Sequence, residues 1–368
     1  MHVNWDWIKQ RPHFVAEYLN KEFNMTVVHE SSYRKSRLTN NHNDLMIEII
    51  ELSHLPYGRF QPIHRLNLLA YRHKLKNYIR RSDVVWITHP TLYDWVQGLI
   101  PDTVRLVYDC MDDALEDPNV TNDAGRRNFL FTLEDALLRR CDAVFVSSDN
   151  LKTKLLERYH VKSSNIHVVN NAINMNHKNQ VNNLSAEFSK ISDTLQSIYH
   201  RKIIYIGTIS AWIDFDLILE SLEECPNVTY IFIGPLLAKV PKHERLLVFL
   251  PIPHDEVFEV MKMSDALVMP FKVSNFIQGV NPVKVYEYIY AHKPAIVVSY
   301  KETEKFSRYV HLYTNKNDYM NIVKRLVAGT LQTIASPQEC VQYINENTWA
   351  TRVESMGLVL RNMLDQSR

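Results

Sequence analysis

Glycine is scarce in this chain, 8 in 368 residues, about a third of the ~7% share usual in globular proteins. That excludes collagen-like repeats and flexible Gly/Ser linkers, and it marks each glycine as a place where a side chain will not fit. Cysteine is scarcer still. Cys110, Cys141, Cys225 and Cys340 stand far apart and form no C-x-x-C pair, a pattern of reduced core residues rather than of a disulfide frame. No run approaches the ~18 apolar residues of a membrane span, and the opening MHVNWDWIKQRPHF has no apolar signal core. Neither sign of charge dominates, with 42 Lys+Arg against 41 Asp+Glu, and neither half of the chain is a polyelectrolyte. Nucleic acid is therefore a poor candidate for a partner. Internal repeats and low-complexity tracts are missing too, and the expectation is a soluble, cytoplasmic protein.

What the chain has in abundance is alternation. Short β-branched runs, MTVVH (25–29), LMIEII (45–50), DVVWIT (83–88), VRLVY (104–108), AVFVS (143–147) and IHVV (166–169), are separated by amphipathic stretches at 11–22, 63–81, 122–140 and 149–159. The second half repeats the scheme with KIIYIG (202–207), VTYIFIG (228–234), LLVFL (246–250), ALVMP (266–270) and AIVVS (295–299). Such spacing predicts α/β architecture with parallel sheets covered on both faces. A chain of 368 residues exceeds the ~250–300 at which one core stops growing. Two doubly wound domains are expected, 1–178 and 179–345, linked through the polar, Asn-rich stretch near 171–200 and followed by a closing helical segment, 346–368. Sheets of this kind bind ligands beyond their strand carboxyl ends.

The sharpest constellation is GVNPVKVYEYIYAHKP at 279–294. Asn281 suits an N-cap and Pro282 the first helical position, with the helix running to about His292. Asn281, Lys284 and Glu287, spaced by three, share one face. A helix start with free N–H groups and a lysine in its first turn is a diphosphate site in the making. A carboxylate one turn on can accept from ribose hydroxyls. Gly207 ends the KIIYI strand ahead of Thr208, where lack of a side chain lets a ligand approach the backbone. Gly234 ends VTYIFI in the same way and reads as a turn. The cluster Asp109, Asp112, Asp113, Glu116 and Asp117 follows the VRLVY strand, and no His/Cys set nearby supports a metal. Crowded carboxylates raise one another's pKa, which suits Asp112 to general-base work; helix capping by the same aspartates is the structural alternative. Residues 57–81 carry seven Lys/Arg, no acid and interleaved Leu, Phe and Tyr, a surface fit for an anionic membrane face or simply a solvated helix. His89, before Pro90, reads as structural.

The string NPVKVYEYIYAHKPAI resembles the nucleotide-binding segment of GT-B glycosyltransferases. WDWIKQRPHFVAEYL, YDCMDD (108–113), CDAVFVSSDNLKTKL, YIGTISAWIDFDLI (205–218) and ENTWATRV (346–353) resemble, in order, further segments of the same group. The likeness is to group 1, family 4-like bacterial enzymes of capsule, exopolysaccharide and teichuronic-acid assembly, with some likeness to inverting glucuronosyltransferases. The resemblance implies a metal-independent sugar transfer from a UDP- or GDP-sugar to a glycan or lipid-linked acceptor, with no other cofactor. It places Gly207, Thr208, Asn281 and Lys284 at the phosphates, Glu287 at the ribose, and Ile252 and Phe271 near the base. Arg11, His13 and Asp109 fall on the acceptor side with Asp112 as base. It also implies that the last helix, with Trp349 and Arg352, returns to the first domain.

Two departures accompany this resemblance. Retaining relatives carry a glutamate eight positions before the one matching Glu287, and Gly279 stands there instead; with Asp112 as base, inversion is the expectation. An apolar strand precedes the tryptophan in such enzymes, whereas MHV alone precedes Asn4-Trp5, so either the start lies upstream or the first domain lacks its first strand. A nucleotide-sugar 2-epimerase of the same fold, or a catalytically degenerate partner subunit, are the competing readings.

Overall fold

The computed structural model describes residues 1–6, 9–30, 47–56, 60–175 and 184–365. Trp7 of the opening motif, the start of LMIEII, residues 57–59 of the basic stretch and residues 176–183 of the Asn-rich link lie outside the described residues. The chain divides into two compact units, Met1–Asn171 together with Trp349–Arg368, and Ala172–Thr348.

The first unit contains β1 (Thr26–Glu30), β2 (Glu48–Leu52), β3 (Val84–Ile87), β4 (Arg105–Cys110), β5 (Ala143–Val146) and β6 (Ile166–Val168). These form two separate parallel pieces, β1-β2 and β3-β4-β5-β6. Leu106, Val107, Phe145 and Val146 have no exposed surface, because helices cover both faces of β4 and β5. The closing helix Trp349–Asp365 packs on the opening helix Arg11–Leu19. There Phe14 stacks on Trp349 with ring centroids 5.2 Å apart, and Arg361 pairs with Glu22 at 2.6 Å.

The second unit is wound on β7 (Arg201–Ile206), β8 (Val228–Ile233), β9 (Leu246–Phe249), β10 (Ala266–Met269), β11 (Ala295–Val298) and β12 (His311–Tyr313). All pairs are parallel, in the order β9-β8-β7-β10-β11-β12. This is the doubly wound dinucleotide-fold order, with its switch point between β7 and β10. Every residue of β8, β10 and β11 is buried, the continuous apolar pattern of a sheet covered on both sides.

Two elements go beyond the sequence reading. The stretch read as a polar link contains the helix Ala186–Ser197. Its Phe188, Ile191 and Leu195 point into the second core, and Ser185 caps it by accepting from the Phe188 N–H at 3.1 Å. Asparagines flanking that helix hid a regular apolar face. The other is β12, whose three residues are too few for an alternation to register.

Candidate active site

In the second unit the backbone beyond β7 and β8 is built around two glycines. Gly207 has φ +151° and Gly234 φ +147°, values that L side chains rarely adopt. Gly207 donates its N–H to the Ile233 carbonyl at 2.8 Å, and Ile209 donates to Pro235 at 2.8 Å. A Cβ on Gly234 would lie 2.1 Å from the Gly207 carbonyl oxygen. Gly234 is thus more than the turn its sequence suggests: it lets one loop's backbone rest against the other's. Since the clash is with backbone, no rotamer relieves it. Gly234→Ala is expected to cost about 3 kcal/mol through strain and overpacking, lowering Tm by roughly 6–12 °C in a circular-dichroism melt.

A Cβ on Gly207 would lie 2.1 Å from both Cε and Nζ of Lys284. The lysine therefore occupies the space that the missing side chain leaves. Lys284 is the second residue of the helix Val283–Ala291, and its ammonium sits 5.6 Å from the Tyr205 ring centroid. Loss of hydration lowers its pKa, opposed by the charge of Glu287. Thr208 is half-buried, and its carbonyl accepts from the Tyr205 hydroxyl at 2.9 Å. Phe271, just beyond β10, meets Tyr205 and Trp212 edge-on at 6.1 and 6.3 Å between centroids. Ile252 is buried ahead of the helix His254–Lys262. In the neighbouring residue pair Leu250–Pro251, the Leu250 N–H is already donated to the Glu187 carboxylate at 3.0 Å.

Asn281 differs from the expected cap. Pro282 occupies the N-cap position, while the Asn281 side chain is buried and donates its amide to Glu302 at 3.1 Å. The Tyr286 hydroxyl donates back to the Asn281 oxygen at 3.4 Å. A buried carboxylate 21 residues away outcompetes the local helix end for the asparagine.

In the first unit, β4 ends in the acidic cluster, and the structure sorts its members. Asp109 has no exposed surface and takes Arg11 Nε at 2.8 Å. Arg11, itself 3% exposed, also donates to the Val169 carbonyl at 2.6 Å, so the pair fastens the opening helix to the ends of β4 and β6. Asp113 takes Arg158 at 2.9 and 3.0 Å and Lys154 at 3.1 Å. Burial would raise its carboxyl, but Arg158 and Lys154 prevail and hold it below its ordinary value. Glu116 pairs with Arg127 at 3.1 Å. Asp112 has no ion-pair partner among the described residues. Its side chain reaches solvent, yet enough protein surrounds it that loss of hydration prevails over Arg11, with Asp117 and Asp113 adding repulsion, and its carboxyl is pushed up to about 6. His13 has no exposed surface; Nδ1 accepts from the Gln10 N–H at 3.1 Å and Nε2 meets the Asn4 carbonyl at 3.2 Å. Both ring nitrogens are thereby engaged in holding the opening segment.

Residues 13–177 match the model of Glycosyltransferase Family 4. The chain is 24% identical over 292 residues to TuaH of Bacillus subtilis strain 168, described as a putative teichuronic acid biosynthesis glycosyltransferase, covering 72% of this chain and 69% of that one. Sucrose-phosphate synthase from Thermosynechococcus elongatus superposes with TM-score 0.72 at 13% identity, covering 96% and 93% of the two chains. Anabaena HepE, solved with UDP-glucose, gives 0.69 at 13% identity, covering 95% and 94%. The chain is a glycosyltransferase with the GT-B fold.

Two histidines of this glycosyltransferase acquire significance only in the structure. His89 caps the helix Pro90–Val96, its Nδ1 accepting from the Thr91 N–H at 3.3 Å. That bond leaves the proton on Nε2, and burial pulls the imidazole down to about 4, with Asp117 opposing and Arg126 assisting. A neutral N–H donor thus stands at the end of β3, beside the β4 end that carries Asp112. Its place directly after a strand was the available signal. His254, first residue of its helix, meets Glu287 at 3.5 Å. Loss of hydration lowers its pKa, but the hydrogen bond and charge of Glu287 prevail, with Asp255 adding and Lys284 opposing, so it is raised.

A raised folded-state histidine contributes stability below its unfolded pKa and loses it as pH rises through the folded one. With the His254 side chain 43% exposed, the pair is worth no more than about 1 kcal/mol. His254→Ala should therefore lower Tm by a few degrees near pH 5.5 and by progressively less toward pH 8. A gap that widens with pH would contradict the pairing.

Proposed function

We propose that this glycosyltransferase moves a sugar from a nucleoside-diphosphate donor to a glycan or lipid-linked acceptor in cell-surface polysaccharide assembly. The observation that carries the donor reading is the Lys284 ammonium lying over Gly207 at a helix start, on the carboxyl edge of a doubly wound sheet. Such an edge collects anions through backbone N–H groups and the helix dipole. In this reading the second unit holds the nucleotide sugar: Gly207, Thr208 and Lys284 at the diphosphate, Glu287 at the ribose, Ile252 and Phe271 at the base. Asn281 braces the helix start through Glu302. No cofactor beyond the donor is invoked, and Lys284 with the helix N-terminus takes the charge that a metal would otherwise offset.

The reaction balances simply. The acceptor hydroxyl oxygen attacks the anomeric carbon, the bond from that carbon to the β-phosphate oxygen breaks, and the diphosphate leaves with the electron pair. Asp112 on the first unit receives the hydroxyl proton. Arg11 and Asp109, locked together, act on the acceptor side by fixing the strand end that carries Asp112. His13 fixes the segment ahead of it.

A thermal-shift screen with UDP, GDP and ADP tests the donor reading. One nucleotide should raise Tm by several degrees at saturating concentration; no shift with any of them would overturn it. Proton NMR of the product tests stereochemistry, with an inverted anomer expected.

The helix Gln61–Arg81 favours a peripheral site at the inner face of a plasma membrane. It exposes Leu66 and Leu69 beside Arg65, Lys74, Lys76, Arg80 and Arg81, and among the described residues no helix is long and apolar enough to cross a membrane. Sedimentation with phosphatidylglycerol vesicles should bring the protein down at low salt and release it at about 0.5 M, where screening shortens the field to a few Å. Equal recovery with neutral vesicles would exclude the basic surface as the cause.

A further inference from the structure

The proposed donor site has an internal order. Lys284 lies over Gly207 at the end of β7, and Glu287 follows one turn later on the same helix. Glu287 in turn meets His254 at 3.5 Å, and His254 directly follows residues 250–253, the segment that leaves the end of β9. In the sheet β9 stands two places from β7, about 10 Å at the usual spacing of neighbouring strands. With the diphosphate at Lys284 and the ribose at Glu287, the base of a bound nucleotide falls against residues 250–253.

The hydrogen-bonding character of that segment is one-sided. It reads Leu-Pro-Ile-Pro, and proline has no N–H, so only Leu250 and Ile252 carry backbone donors. The Leu250 N–H is already given to Glu187 Oε1 at 3.0 Å. Lys190 stands 3.9 Å from the same oxygen, and Glu187 Oε2 has no hydrogen-bond partner among the described residues. Glu187 is held in place by its own element. It is the second residue of the helix Ala186–Ser197, whose cap, Ser185, gives its N–H and hydroxyl to the buried Glu256 at 2.5 and 2.6 Å. The segment and its neighbour thus offer a base one N–H, from Ile252, against a carboxylate oxygen and backbone carbonyls, all of them acceptors.

Bases differ in what they present in return. The Watson–Crick edge of uracil is one N–H between two carbonyl oxygens, and that of adenine is one amine beside a lone-pair nitrogen. Of the three, only guanine presents two adjacent donors, N1–H and the 2-amino group, beside one acceptor, O6. We infer that residues 250–253 and Glu187 form a guanine-selecting pocket, which makes the donor a GDP-sugar; the inference rests on the donor reading above. The Ile252 N–H donates to O6, while N1–H and the 2-amino group donate to a backbone carbonyl of the segment and to Glu187 Oε2. Uracil would set a carbonyl oxygen against the carboxylate. Acceptor would then face acceptor with no donor between them, so the pocket selects by penalty as well as by gain.

Isothermal titration calorimetry of the full chain with GDP, UDP, ADP and inosine diphosphate, which differs from GDP only in lacking the 2-amino group, tests the pocket. GDP should bind at least about 10-fold tighter than each of the others, the discrimination of one well-formed bidentate contact. Glu187→Gln keeps an oxygen for the Leu250 N–H and turns the other acceptor into a donor. It should weaken GDP by about 10-fold or more, leave UDP unchanged or tighter, and erase the difference between GDP and inosine diphosphate. The wild-type comparison of GDP with inosine diphosphate needs no variant, so it decides even where Glu187→Gln fails to fold. Tighter binding of UDP or ADP, equal binding of GDP and inosine diphosphate by the wild type, or an unchanged preference in a folded Gln variant would each overturn the pocket and leave the diphosphate site standing. Binding of none of the four would overturn the donor reading, and this inference with it.

Discussion

Lys284→Ala is expected to lower kcat by about 10²–10³-fold, the loss typical of removing one preorganised charge-stabilising group. It is also expected to abolish the thermal shift given by nucleoside diphosphate. The reason is the contact between Lys284 and Gly207: the ammonium stands where a Cβ would be, on the helix turn whose dipole already favours an anion. Negative charge that develops on a departing diphosphate meets this group without any reorganisation. For the wild type, ligand at about 100 times Kd stabilises by about 2.7 kcal/mol, roughly 5–10 °C for a unit of this size. The alanine variant should show no such shift.

Its unliganded stability moves the other way, which separates loss of function from loss of fold. Loss of hydration lowers the lysine's pKa in the folded state, so the folded protein holds that proton less tightly than the unfolded chain. A charged Lys284 therefore detracts from stability at neutral pH, and the unliganded alanine variant should melt at or above the wild-type temperature. Such opposition of stability and activity marks functional groups. Gly207→Ala gives the reciprocal test. Its new Cβ would displace the flexible end of Lys284, so the double variant should lose little more than either single one, the non-additivity of residues acting as a unit. Full additivity, or a lysine variant that still binds nucleotide, would remove Lys284 from the diphosphate.

Strands were legible in the sequence wherever both faces are buried. VTYIFI, ALVM and AIVV read as uninterrupted apolar runs and became β8, β10 and β11. Local chemistry was less legible where a distant group captures a side chain. Asn281 has the sequence of an N-cap, but its amide belongs to Glu302. Arg11 sits beside a Gln and a Pro in sequence, and its partner is Asp109, 98 residues away. Gly234 is required by the backbone of Gly207, a contact that no local pattern encodes. Five acids in nine residues looked alike until the structure supplied Arg11, Arg158, Lys154 and Arg127 to three of them.

Asp112→Asn is expected to lower kcat/KM by about 10²–10⁴-fold at neutral pH, the range supplied by a positioned general base. It should also flatten the acidic limb of the pH profile. With a carboxyl pushed up to about 6, the wild-type rate should fall as pH drops through that value, because the protonated acid no longer accepts a proton. The stability consequence has the opposite slope. A carboxyl raised in the folded state binds its proton more tightly there than in the unfolded chain. Its contribution therefore favours folding at low pH and is lost as pH rises through about 6. The asparagine variant lacks that loss, so its Tm relative to wild type should improve between pH 4 and 8 while its activity remains low. Melts and initial rates across this range measure both effects on the same samples. A variant that loses activity without the change in pH profile would assign Asp112 to substrate positioning, and a product with retained configuration would remove it from the proton transfer altogether.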